Sequence, residues 1–261
     1  MNTHLIRAYF KFIAKSTNQH GVHSPFVYDF VTKCCYNKAK QPEYKQIKNY
    51  RKTLFKNTTT ITVEDFGAGS KVFKSNQRAI HKIAKTAGIT YRRAKLLYRI
   101  TNYFSPETIL EIGTSLGMAT FPMALGSKKA KITSIEGCNN TAKTAAASLQ
   151  KFNIKNTKIE IAEFTSFLNQ LPKINQKPFD LIYFDGNHTK IDTLNYFELL
   201  LPYKHNNSVW IFDDIHWSKE MTEAWEIIKE HPEVQVTIDS FYWGIVFFRK
   251  EQAKQNFTIR L

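Results

Sequence analysis

Apolar residues recur at helical spacing over the first hundred positions of the chain. Beyond residue 105 they gather in short β-branched runs. Leu5, Tyr9, Phe12 and Ile13 share one helical face. Ser24 followed by Pro25 has the form of a cap and first turn, and predicts a helix over 24–31. A lysine-rich stretch, 43–56, reads as a charged helix, and 61–63 as a short extended piece. Two further helices are predicted over 76–87 and 91–103.

From residue 105 onward, strands are predicted at 108–112, 131–135, 158–162, 181–185 and 209–213. Helical patterns lie between them at 117–125, 140–152, 165–171 and 191–201. Such alternation implies βαβ units and a parallel sheet. A helix at 219–229 leads to two strands, 234–239 and 244–249, whose connection is too short for a parallel crossover. The predicted fold is therefore α/β, a doubly wound, mostly parallel seven-stranded sheet ending in an antiparallel hairpin. It carries a basic, mostly helical N-terminal extension over 1–104, a lid or partner segment, ahead of a ligand-binding domain over 105–261.

Composition adds little to the fold but something to the choice of partners. The chain has 261 residues and 43% hydrophobic content, enough for a sizeable core. Its net charge of +15 is uneven. Residues 1–100 hold 20 Lys and Arg against 4 Asp and Glu, and residues 101–261 hold 17 against 18. That asymmetry suits an anionic partner such as RNA, a charged substrate or an acidic membrane surface. A solvated lysine-rich surface accounts for it equally well. Cys34, Cys35 and Cys138 form no CxxC pair, which favours a reducing, cytoplasmic setting. The first fourteen residues lack the apolar run and cleavage site of a signal peptide, and no stretch reaches the length of a membrane span.

The candidate chemistry begins at Glu111-Ile112-Gly113-Thr114-Ser115-Leu116-Gly117, where a buried strand enters a glycine turn that opens a helix. The spacing G-x-x-x-G differs from the G-x-G-x-x-G of nicotinamide sites. The next predicted strand ends at Glu136, an acid placed to accept ribose hydroxyls. A second glycine-rich piece, Asp65 to Ser70, has no βαβ frame and reads as a loop or surface turn. Asp185 and His188 follow the fourth strand of the βαβ region, and Asp213 and Asp214 the fifth. In such sheets ligands bind beyond the carboxyl ends of the strands. Carboxylates meeting in one cleft repel unless a proton or a hard cation such as Mg²⁺ intervenes. His216 and Trp217 stand beside the acidic pair as substrate contacts, whereas Phe241, Tyr242, Trp243, Phe247 and Phe248 read as core and hairpin packing. His20 and His23 have no nearby acid or cysteine and read as a loop before the second helix.

The glycine loop, Glu136 and the terminal hairpin resemble the class I S-adenosylmethionine-dependent methyltransferases over about 105–250. The resemblance implies that Gly113, Thr114, Ser115 and Gly117 cradle the methionine part of the cofactor. Glu111 would then support its amino end, Glu136 hold the ribose, and Glu163 and Phe164 lie near the adenine, with Asp185 also in the cofactor site. The acidic residues are similar to those of sugar- and catechol-type O-methyltransferases, which implies Asp185, Asp213 and Asp214 as metal ligands. Asp185, His188 and Asp213 would then be the catalytic set, with His188 as general base. The acceptor implied is a hydroxyl of a small molecule, and a homo-oligomer is compatible with this reading. RNA methylation through the basic extension, a binding protein that has lost catalysis, and a nicotinamide-dependent enzyme stand as alternatives.

Overall fold

A computed structural model describes residues 3–64, 75–174 and 177–261. The glycine-rich piece at 65–70 lies outside the described residues. In chain order the elements begin with α1 (Thr3–Lys15), α2 (Pro25–Asp29), which runs on as a π-helical turn (Phe30–Cys35), and α3 (Glu43–Lys56). A small hairpin, β1 (Thr60–Thr62) and β2 (Gln77–Ala79), precedes α4 (Ile80–Thr86) and α5 (Tyr91–Phe104). The alternating region then gives β3 (Thr108–Ile112), α6 (Thr120–Gly126), β4 (Lys131–Glu136), α7 (Asn139–Lys151), β5 (Thr157–Ile161), α8 (Phe164–Ile174), β6 (Leu181–Phe184), α9 (Lys190–Leu200), β7 (Val209–Asp213) and α10 (Lys219–Glu230). Three strands close the chain: β8 (Val236–Asp239), β9 (Trp243–Phe247) and β10 (Gln255–Thr258).

The chain divides into two compact units, residues 38–167, and residues 1–37 with 168–261. The boundary expected at residue 104 does not coincide with this division, because α3, α4 and α5 fold with the first βαβ units. In the 38–167 unit, β3 pairs in parallel with β4, and β4 with β5. This unit holds 23 Lys and Arg against 8 Asp and Glu, while the other holds 14 of each. The whole net charge of +15 therefore belongs to residues 38–167.

In the other unit β6 pairs in parallel with β7, β7 antiparallel with β9, and β9 antiparallel with β8, as the short 239–244 connection requires. β10 lies parallel to β8 and makes the eighth principal strand where seven were expected. Its sequence, Gln-Asn-Phe-Thr, buries only Phe257, so no apolar alternation announced it. Thr17 extends this edge through its N–H to the Thr258 carbonyl and by accepting the N–H of Arg260.

Most predicted elements agree with the structure to within a few residues. The helix expected over 76–87 is a correction: 77–79 are a strand paired with β1, and the helix starts only at Ile80. The face assigned to α1 also splits. Ala8 and Phe12 are buried with Leu5 packed against them, but Tyr9 and Ile13 are exposed. Ser24 caps α2 as expected, its Oγ accepting the N–H of Val27 at 3.4 Å. Cys34, Cys35 and Cys138 are buried and none is in a disulfide.

Candidate active site

The glycine loop follows β3. Gly113 and Gly117 adopt φ of 98° and 71°, a region closed to most side chains, and Ser115 joins them at 47°. The N–H groups of Gly113 and Thr114 both donate to the Ile135 carbonyl, which ties the loop to β4. Beneath it Glu111 is wholly buried, and its Oε2 accepts the hydroxyls of Thr120 and Ser134. Thr114 turns its hydroxyl inward to Ser134 and is also buried. Ser115 is the more exposed member of the Gly113–Gly117 loop.

Sequence reasoning missed Tyr50 in this setting. On α3, Ile47, Tyr50 and Leu54 form the buried stripe of an otherwise lysine-rich helix. The Tyr50 ring stacks on Phe121 at 4.3 Å, and its hydroxyl donates to the Leu116 carbonyl at 2.7 Å, within the glycine loop. Burial, and secondarily the nearby Glu111 charge, hold the phenol well above its ordinary pKa. A Cβ on Gly117 would lie 2.7 Å from this hydroxyl oxygen. Only the 3–4 spacing of Ile47, Tyr50 and Leu54 marks the residue in the sequence.

At the tip of β4 the Glu136 carboxylate accepts the N–H of Ser115 at 2.8 Å on one oxygen and that of Cys138 at 3.0 Å on the other. Burial raises its pKa, against the lowering effect of the N–H groups of Cys138, Ser115 and Gly137. A carboxylate has about four acceptor sites, so capacity remains for ribose hydroxyls. Glu163 serves as a cap: its two oxygens accept the N–H groups of Thr165 and Ser166 at 2.9 and 2.7 Å, at the start of α8. Burial pushes its carboxyl up, but these hydrogen bonds outweigh that and leave it below the usual range. The neighbouring Phe164 is the first residue of α8 and is partly exposed. The left-handed loop, the partly exposed Ser115 and the fixed Glu136 fit a nucleoside cofactor. The inward-facing hydroxyl of Thr114 and the buried Glu111 support the loop from below.

In the other unit, Asp185 and His188 follow β6, with the His188 Nε2 3.4 Å from the Asp185 Oδ1. The connecting backbone is left-handed at Asn187 (60°) and His188 (38°), as it is at Asp214 (54°) after β7. Non-glycine residues hold such conformations only where their surroundings fix them. Here Asn187 donates to the Tyr196 hydroxyl at 2.6 Å, and Thr189 caps α9 through the N–H of Asp192. Burial and the Asp213 charge push the Asp185 carboxyl up to about 7, partly offset by His188. Burial lowers the His188 pKa, but the carboxylate of Asp185 more than reverses this and takes it up to about 9. A small pocket is lined by residues including His188, Asp213, Phe184, Tyr196 and Met221.

The carboxylates expected to hold a metal are partly engaged by the protein itself. Asp213 is buried, one oxygen accepting the Tyr183 hydroxyl at 2.9 Å and the other the N–H of Asp214 at 2.8 Å. Among the described residues no group of three or more His, Cys, Asp or Glu is placed to hold a metal ion. Asp185, Asp213 and Asp214 are neighbouring carboxylates whose charges act on one another. His216 differs from expectation too: it is buried, paired with Asp239 at 2.8 Å and stacked on Phe241, while Trp217 beside it is exposed.

The strand order within each unit, the left-handed loop and the acid at the tip of β4 agree with the α/β fold expected from the sequence. Residues 110–215 match the family described as a methyltransferase domain. The chain is similar in fold to an O-methyltransferase from Bacillus cereus in complex with SAH: 16% identity, TM-score 0.57, covering 85% of this chain and 96% of that one. It is also similar to the SAM complex of TomG from Streptomyces achromogenes, an O-methyltransferase of tomaymycin synthesis: 15% identity, TM-score 0.57, covering 89% and 99%. For the SAH-bound methyltransferase PaMTH1 from Podospora anserina the values are 14%, 0.60, 88% and 98%. No curated protein matches the chain significantly in sequence.

Proposed function

We propose that this protein is an S-adenosylmethionine-dependent methyltransferase acting on a hydroxyl of a small-molecule acceptor. The observation that carries the reading is Glu136, a carboxylate fixed by the N–H groups of Ser115 and Cys138 beside a left-handed glycine loop. Gly113, Ser115 and Gly117 bring backbone close to the methionine part of the cofactor, and Glu136 accepts from its ribose. Glu111 is a positioning residue that braces the loop through Thr120 and Ser134. The cofactor supplies an electrophilic methyl group on a sulfonium.

The chain's own chemistry is then to orient the acceptor and take its proton. The Asp185–His188 pair performs the second task. Asp185 faces Nε2 of His188 and favours the tautomer protonated there, which leaves Nδ1 to accept. The concentration of charge in residues 38–167 favours a second reading, an RNA acceptor. Acceptor binding that weakens steeply with salt distinguishes it from the first.

Calorimetric titration with S-adenosylhomocysteine, with and without Mg²⁺, tests the proposal. One-to-one binding that is indifferent to Mg²⁺ is expected. No binding in either condition refutes it.

A further inference from the structure

A surface helix needs one apolar face, the one it buries. Helix α1 has two. Its inner face, Ala8 and Phe12 with Leu5, packs on Phe241. Phe241 stands in the β8–β9 turn at φ of 74°, its N–H on an Asp239 oxygen and its ring 5.4 Å from His216. Tyr9 meets the same ring edge-on at 5.0 Å. The second face consists of Ile6, Tyr9, Phe10 and Ile13, spaced three and four apart. Tyr9 is 47%, Phe10 68% and Ile13 37% exposed. Next to it in the turn, Tyr242 is 51% exposed with its ring 5.1 Å from Phe241.

The third side of the helix is cationic. Arg7, Lys11 and Lys15 follow one another at four-residue steps, and α1 contains no acidic residue. An apolar, aromatic stripe flanked by a cationic one is the pattern of a helix that lies in a membrane interface. Its rings reach the acyl boundary and its cations meet the headgroups. A second copy of this helix fits less well, because α1 carries no acidic residue to meet Arg7, Lys11 and Lys15. No helix among the described residues is long and apolar enough to cross a membrane, so attachment of this kind is peripheral.

We propose that α1 and the β8–β9 turn dock the protein onto an anionic phospholipid surface. The occupant is chosen by charge: a zwitterionic bilayer offers the apolar stripe a home but gives Arg7, Lys11 and Lys15 no net partner. Docking is shallow and reversible, since the inner face of the helix stays on Phe241.

The test is co-sedimentation of the full chain with phosphatidylcholine vesicles, and with vesicles of phosphatidylcholine mixed with phosphatidylglycerol. Binding to the mixed vesicles, weak binding to phosphatidylcholine alone, and loss of binding at high salt are expected. Phe10→Ser with Ile13→Ser should lower the partition coefficient by at least about tenfold, the scale of losing one buried apolar side chain. Lys11→Glu should remove the preference for the anionic mixture. Both sets of substitutions lie on exposed positions, and an unchanged melting temperature verifies folding. Failure of the unaltered chain to sediment with the mixed vesicles overturns the proposal, as does equal binding to both compositions. A self-association that Phe10→Ser and Ile13→Ser dissolve assigns the face to a second copy and overturns it equally. The readout is partition, not turnover, so its failure is distinct from failure of the methyltransferase reading.

Discussion

Gly117→Ala combined with Tyr50→Phe isolates the contact that ties α3 to the glycine loop. Gly117 sits at φ of 71°, and an alanine there carries a left-handed backbone penalty of about 1–2 kcal/mol. Its Cβ would also stand 2.7 Å from the Tyr50 hydroxyl oxygen. That hydroxyl has little room to give way. Its ring is stacked on Phe121 and edged by Phe152, and the oxygen is held to the Leu116 carbonyl. Moving it gives up a buried hydrogen bond worth about 1 kcal/mol. Gly117→Ala alone should therefore cost about 2–3 kcal/mol. Tyr50→Phe alone should cost about 1 kcal/mol through the same lost hydrogen bond. With the hydroxyl gone the alanine Cβ has space, and only the backbone penalty adds. The double variant should be less destabilised than the sum of the singles by about 1 kcal/mol.

All four tryptophans, Trp210, Trp217, Trp225 and Trp243, lie outside residues 38–167, so indole fluorescence is a poor reporter of this loop. Native-state hydrogen exchange of peptides spanning 108–126 reads the local stability directly. Additivity of the two substitutions within about 0.5 kcal/mol would refute the contact as the source of the constraint.

Four further outcomes are expected. Glu136→Gln should weaken S-adenosylhomocysteine binding by about 1–3 kcal/mol, since the ribose acceptor loses its charge; unchanged calorimetric affinity removes Glu136 from the site. Asp185→Asn should suppress turnover while leaving that affinity largely intact, and full activity in a methyl-transfer assay would exclude the residue. Both Asp185, raised to about 7, and His188, raised to about 9, hold protons more tightly folded than unfolded. Turnover should accordingly climb with pH towards about 9, while the stability contributed by the pair falls as pH rises through about 7 and on to about 9. A flat rate profile, or melting temperatures that rise over that span, would contradict the assignment. Chelator should leave turnover unchanged where the Asp185–His188 pair takes the acceptor proton unaided; activity lost to chelator and restored by Mg²⁺ would instead make Asp185, Asp213 and Asp214 a ligand set.

The alternation of β-branched runs with helical stretches made β3 to β9 legible; burial on both faces gives β3, β6, β7 and β9 nearly continuous apolar runs, and β-branched residues mark the less buried β4 and β5. The hairpin followed from loop length alone. β2 was misread because Gln77, Arg78 and Ala79 carry no strand signal of their own; pairing with Thr60–Thr62 makes them extended. β10 was missed for the same reason: an edge strand is specified by its partner β8 more than by its own composition. α1 was recognised as a helix with its inner face only half correct, since periodicity marks an apolar surface without saying which part of it meets the protein.

The site shows where sequence reading stops. The conformation of Gly113 and Gly117 and the place of Glu136 were readable because backbone sets them: a turn that needs positive φ and an acid at a strand tip. The chemistry of the acidic cluster was less readable, because spacing along the chain places carboxylates on neighbouring loops without fixing where their oxygens point. Tyr183 bears on that question for Asp213. It lies inside an apolar strand, where a tyrosine reads as packing, yet its hydroxyl orients one oxygen of Asp213 and occupies one of that oxygen's acceptor sites. Glu163 makes the same point at the start of α8, where its carboxylate accepts two backbone N–H groups, a cap role that the sequence did not announce. In both places the competing donor comes from a residue whose side chain or amide carries no sequence signature of function. For a buried carboxylate, hydrogen-bond partners discriminate between ligand, base and cap, and those partners are properties of the fold rather than of the motif.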